Sequence, residues 1–112
     1  MNGILEQELC QLQTEIGCGP ADPTPLMILY ELANGPQNEA QLAGALGISQ
    51  SIVSSQLAVL RERRIVVTNR VGSMVQYRLT DRRLIEALDY LRAVLRDVLA
   101  HRNEAVTVFG EN

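Results

Sequence analysis

Cys10 and Cys18 are the only soft nucleophiles in this chain. Three readings of them stand side by side. They can sense oxidants or reactive sulfur by closing a disulfide or polysulfide bridge. They can bind a thiophilic metalloid or metal such as As(III) or Hg(II), with thiolates from two subunits. Or they are bystanders. Cys10 falls about 140° around an ideal helix from Leu5, off the stripe of Leu9, Leu12 and Ile16. Cys18 sits in the break Gly17-Cys18-Gly19-Pro20, open to reagents. On a continuous helix the two Cα atoms stand about 12 Å apart along the axis, beyond the roughly 7 Å that a disulfide spans. A bridge within one chain therefore requires the last turn to unwind, and a bridge between chains requires two first helices to meet. No basic residue lies near either thiol in sequence, so nothing local favours the thiolate.

The other reactive residue types are sparse. His101 is the only histidine, and no nucleophile has a plausible base beside it. There is no Gly-rich phosphate loop and no metal-ligand constellation, so neither an enzyme nor a cofactor is expected. The remaining chemistry is hydrogen bonding and charge. Ser49, Gln50, Ser51, Ser54, Ser55 and Gln56 form a short polar set that donates and accepts without repelling phosphate. All ten basic residues are arginine, and none precedes Arg61. Arg61, Arg63, Arg64, Arg70, Arg78, Arg82 and Arg83 then follow closely, against Glu62 and Asp81. The net charge of −3 speaks against a nucleic-acid partner. A basic block directly after a polar helix speaks for one.

The elements that position these residues follow from periodicity. Residues 4–16 predict an amphipathic helix with Leu5, Leu9, Leu12 and Ile16 on one stripe. In ADPTPLMILYELANG, Asp22 or Thr24 can cap, Pro25 suits a first turn, and Leu26, Leu29, Leu32 and Ala33 supply the buried face. Asn38 to Leu60 reads as two short helices about a tight turn, with Ala43, Leu46, Ile48, Val53, Leu57 and Leu60 apolar. Gly47 stops the first helix in a left-handed conformation, and Ser49 caps the second. A helix-turn-helix places such a second helix in the DNA major groove.

After Leu60 the period falls to two. Ile65–Arg70 and Val75–Leu79 read as strands, joined through Val71-Gly72-Ser73-Met74 as a β-hairpin. Arg70, Ser73 and Gln76 lie near its tip, within reach of phosphate or the minor groove. Thr80-Asp81 caps a last helix from about Arg82 to Arg102. Leu84, Leu88, Leu91, Leu95 and Val98 make a regular seam on it, with Ile85, Val94 and Leu99 beside them. So regular a seam on a terminal helix points to burial against another subunit, or against the first helix of the same chain. Residues 103–112 read as a frayed tail. The whole is expected to be one domain over residues 1–102, mainly α with a two-stranded wing, dimerising through its first and last helices, Leu5, Leu9 and Leu12 included.

The chain has 112 residues, 46% of them apolar. No run approaches the roughly 20 apolar residues of a membrane helix, and MNGILEQELCQ is not a signal peptide. The expectation is a cytoplasmic protein with no membrane partner.

From Asp22 to about Arg102 the order and spacing of these segments resemble the ArsR/SmtB family of bacterial winged-helix repressors. DPTPLMILYELANG, QLAGALGISQSIVSSQLAVLRERRIV and VGSMVQYRLTD carry the resemblance. It implies a homodimer that binds double-stranded operator DNA and leaves it when an effector binds. The major groove would be read by Ser49, Gln50, Ser51, Ser54, Ser55 and Gln56, with Arg61 and the wing on the backbone. The departures matter. Where one family metal site has Cys-x-Cys-Asp-Leu-Ala, this chain has Asn38-Glu39-Ala40-Gln41-Leu42-Ala43, without thiols. At a second site Asp81 and Asp97 match, but Arg83 and Val94 replace histidines, which removes the imidazoles zinc or cobalt would take. His101 is expected to cap the end of the last helix. Arg64 stands where the family often has Gly, and a left-handed backbone there would cost roughly 1 kcal/mol. A winged-helix module that docks on another protein is the rival function.

Overall fold

A computed structural model describes the backbone of residues 22–109 and the side chains of residues 22–102. The helix expected over residues 4–16 lies outside the described residues, as do Leu5, Leu9, Leu12, Cys10 and Cys18. The described elements are α1 (Thr24–Leu32), α2 (Glu39–Leu46), α3 (Gln50–Glu62), β1 (Val66–Val71), β2 (Met74–Leu79) and α4 (Arg83–Phe109). The chain divides into two compact units, Met1–Asp81 and Arg82–Asn112.

In the first unit α1 begins where Pro23 and Pro25 impose helical φ on the chain. The N-cap position is Pro23, without a side-chain cap; neither Asp22 nor Thr24 occupies it, but the Asp22 carboxylate one residue earlier accepts from the Thr24 backbone N–H at 2.9 Å. The buried face of α1 is Pro25, Ile28, Leu29 and Leu32. The expected face was shifted by part of a turn: Leu26 and Ala33 are only half-buried, whereas Ile28 is fully enclosed. Among the described elements α1 packs against α2, α3 and β2.

Helix α2 opens on a capping box. The Asn38 side chain accepts from Gln41 N–H at 2.8 Å, and Gln41 Oε1 accepts from Asn38 N–H at 2.9 Å. Two of the helix's free donors are satisfied this way. It closes at Gly47, φ 67°, while Ile48 N–H reaches back to the Ala43 carbonyl at 3.2 Å. α3 leaves at 117° to α2, the geometry of a helix-turn-helix. Leu42, Val53 and Leu57 are wholly buried between the helices. Burying each removes apolar surface worth about 1.5–3 kcal/mol from water.

The wing is a two-stranded antiparallel sheet in which Val66 faces Leu79 and Val71 faces Met74. Each strand runs one residue nearer the tip than expected, because Gly72 takes φ 64° and two residues then suffice for the turn. A third stretch joins the sheet: Gln37 pairs with Tyr77 through N–H···O bonds of 3.0 and 2.8 Å.

The second unit is the single helix α4. It continues to Phe109, past the end expected at Arg102, so residues 103–109 are helical rather than a tail. Leu84 and Leu88 are half-buried. Leu91, Leu95 and Val98 are exposed, as are Val94 and Leu99. No single helix among the described residues is long and apolar enough to cross a membrane.

Candidate nucleic-acid interface

Helix α3 buries Val53, Leu57 and Leu60, which fall within one narrow sector at 100° per residue. That burial turns its polar residues outward. Ser49 caps the helix, its hydroxyl oxygen accepting from Ile52 N–H at 3.2 Å, and its own proton stays available to a ligand. Gln50, Ser51 and Ser54 are exposed. Ser55 is exposed too, but its hydroxyl donates to the Ile52 carbonyl at 2.9 Å, which leaves it an acceptor outward. Gln56 is half-buried, and on helix geometry it stands about 120° around the axis from Gln50. The first turn of α3 thus presents the most accessible hydrogen-bonding groups. Arg61 is exposed in the last turn.

The wing brings a second set. Arg70 and Ser73 are exposed beside the turn. Gln76, opposite Asn69 in the register, is half-buried and farther from the tip. Gln50, Ser73, Met74 and Val75 border one open hollow of about 270 Å3 together with Asn38, Glu39, Ala40 and Tyr77. The head of the second helix and the tip of the wing therefore share one face. Arg61 lines a different hollow, of about 440 Å3, with Arg64, Val66 and Thr68 at the wing's base.

Tyr77 is the residue that sequence reasoning missed. It is 9% exposed although it sits on a hairpin. Its backbone makes the bridge to Gln37, and its hydroxyl donates to Glu39 Oε1 at 3.1 Å. Burial, then the bond to Glu39 and that carboxylate's charge, push the phenol above its ordinary pKa, with Arg61 acting the other way. At the tip, Asn38 Nδ2 donates to Met74 Sδ at 3.0 Å. Gln37 Nε2 in turn donates to the Glu31 carbonyl at 3.0 Å. One segment, residues 37–39, is thus tied to α1 behind it and to β2 ahead. A single Tyr in an alternating strand gave no sign of this. The Asn38-x-x-Gln41 box was the signal that could have located the segment.

The Arg64 backbone is left-handed, φ 61°, which decides a question the sequence left conditional. Its N–H donates to the Arg61 carbonyl and Ile65 N–H to the Leu60 carbonyl, both at 3.0 Å, the paired bonds of a Schellman ending. Thr80 donates to the Arg64 carbonyl at 2.6 Å, joining the end of α3 to the wing's base.

His101 is not at a helix end. With α4 running to Phe109 it lies in the interior, its Nδ1 3.3 Å from the Asp97 carbonyl, so the capping role fails. Among the described residues no group of three or more His, Cys, Asp or Glu side chains converges to hold a metal.

The model of the arsR family of bacterial regulatory proteins matches residues 22–68, the stretch from α1 through the helix-turn-helix into β1. The HTH-type transcriptional regulator NmtR of Mycobacterium tuberculosis is 46% identical over 69 residues, which cover 62% of this chain and 58% of that relative. The chain thus spans less than two thirds of that relative's length. The SmtB homolog of Synechocystis, a transcriptional repressor, is 33% identical over 102 residues, covering 91% of this chain and 72% of the relative. Among solved structures, the cadmium metal-sensor CMTR of Mycobacterium tuberculosis superposes with a TM-score of 0.57 at 40% identity, over 70% of this chain and 81% of that one.

Proposed function

The chain belongs to the ArsR family of bacterial regulatory proteins, and from that premise we propose that it is a homodimeric transcriptional repressor that reads double-stranded operator DNA. One observation carries the reading: Gln50 at the head of α3 and Ser73 at the wing tip border the same hollow. A duplex lying on that face would meet the helix in its major groove and the wing on the adjacent backbone. Base contact falls to Ser49, Gln50, Ser51 and Ser54, with Ser55 and Gln56 on the flanks. Phosphate contact falls to Arg70, Ser73 and Gln76, and to Arg61 from the far end of the helix. The reading helix itself carries no charge over its first turns, so attraction to the duplex must come from these arginines. The exposed Leu91, Leu95 and Val98 on α4 supply the apolar surface for a second copy, with Leu84 and Leu88 continuing the seam.

Release from the operator is assigned to the thiols of Cys10 and Cys18, through bridging by oxidants or reactive sulfur. Capture of a thiophilic metal or metalloid by the same thiols is the second reading, and the similarity to a cadmium metal-sensor is consistent with it. Both act on the N-terminal segment rather than on α2, because Asn38–Ala43 holds no thiol.

A fluorescence-anisotropy titration of the full chain against the duplex upstream of its own gene tests the first part. Specific binding that falls steeply with salt is expected. Equal affinity for unrelated duplexes, or none, favours a protein-docking module. The second part is tested by adding polysulfide, peroxide, arsenite and cadmium separately to the complex. Release by one of them that disappears in the Cys10→Ser, Cys18→Ser double variant supports thiol control, and release that persists there overturns it.

A further inference from the structure

A two-stranded hairpin on its own is at best marginally stable. The wing tip, Gly72-Ser73, stands about 13 Å along the strand from Tyr77. A tilt of roughly 10° at Tyr77 would carry the tip about 2 Å, enough to break hydrogen-bond contact with a phosphate. Something must therefore fix the angle of the wing against the helix-turn-helix.

We propose that Tyr77 and Glu39 form a clamp that sets this angle, making Tyr77 a positioning residue for DNA binding. This rests on the DNA-binding reading above. Three contacts converge on Tyr77. The Gln37 bridge binds its backbone to the segment preceding α2. Its ring is buried. Its hydroxyl donates to Glu39 in the first turn of α2. The Gln37 bridge and the Asn38–Met74 bond tie β2 to the segment before α2, and the hydroxyl adds a side-chain anchor inside the first turn of α2 itself. Glu39 is otherwise a poor choice for this place. It borders the hollow shared by Gln50 and Ser73, where a carboxylate repels phosphate. Engagement by Tyr77 gives the acid a use there.

Clamp and repulsion predict opposite signs for one substitution. If Glu39 acts only as a charge, Glu39→Ala tightens DNA binding. If it anchors the wing, Glu39→Ala weakens it. Glu39→Gln keeps an acceptor and loses the charge, so the clamp predicts affinity equal to or tighter than that of the unaltered chain. Tyr77→Phe removes only the hydroxyl, and a loss of about tenfold is expected, the lower end of what one hydrogen bond to a charged acceptor contributes. The Tyr77→Phe, Glu39→Ala pair should lose no more than either alone. Amide hydrogen exchange at Gly72, Ser73 and Gln37 in the free protein should quicken in Tyr77→Phe and Glu39→Ala but not in Glu39→Gln. Tighter binding by Glu39→Ala, or unchanged exchange in Tyr77→Phe, overturns the clamp. If the unaltered chain binds no duplex, the DNA-binding reading fails, and the exchange measurement still decides whether the clamp exists.

Discussion

Asp22 shows how one side chain sets the start of a helix. Its carboxylate accepts from the Thr24 backbone N–H. That bond, followed by the Thr24 hydroxyl, holds its pKa below the ordinary value of 3.8. A carboxyl depressed in the folded state stabilises the fold above its unfolded pKa, and the contribution is lost as pH falls through the folded value. Thermal melts taken from pH 5 downward should therefore show an acid limb that is shallower in Asp22→Asn. Tyr77 has the opposite sign. Its raised pKa means that its contribution is complete at neutral pH and fades only in strong alkali. Neither group titrates near neutrality, so the cap and the clamp are both intact where the protein works.

At the scale of elements, α2 and α3 end by the same device with different residues. Gly47 and Arg64 both hold left-handed backbones, and each ending returns an N–H to a carbonyl of the last turn. A Cβ at Gly47 would meet nothing within 4 Å, so Gly47→Ala isolates the backbone term and should destabilise by about 1 kcal/mol. Arg64→Gly is the mirror experiment. Relief of the left-handed strain, less the greater freedom of glycine in the unfolded chain, should stabilise by about 0.5 kcal/mol. Both are read as shifts of the urea midpoint at constant slope. An Arg64→Gly variant less stable than its parent would show that the arginine side chain earns its strained position through its own contacts.

Over the whole molecule the uneven distribution of charge outweighs its sum. On the DNA-binding reading proposed above, an acidic chain still offers a duplex a basic approach, because its arginines begin in the last turn of α3. The surface of α4 belongs to the same scale. Leu91 at 64% and Leu95 at 50% exposure are apolar area that one copy of α4 leaves in water. A second copy covering it is the arrangement proposed above. Leu95→Glu places a charge in that seam, and sedimentation should then report a monomer at concentrations where the parent is a dimer. Operator affinity should fall with it, since paired half-sites are read only by a dimer. A dimeric Leu95→Glu chain would place the interface elsewhere.

Much of this was legible from residue order alone. Helix, turn and hairpin are local structures, so Gly47, Ser49 and Gly72 announced them, whereas the left-handed Arg64 was only a conditional until the backbone was seen. Which flank of an amphipathic helix is buried depends on its neighbours. Hence Ile28 took a core position on α1 where periodicity named Leu26 and Ala33, and Leu42 on α2 is buried where it named Leu46 and Ile48, which are half-buried. The end of α4 was misjudged because Asn103 and Glu104 look like a stop, although seven further residues remain helical. Tyr77 and Glu39 lie 38 residues apart, and no spacing rule connects them. Local sequence decided that there would be a helix-turn-helix with a polar second helix and a wing. Only the packing of β2 against the segment before α2 decided the angle between them, because a hydrogen bond between distant residues exists only once the core beneath has brought them together.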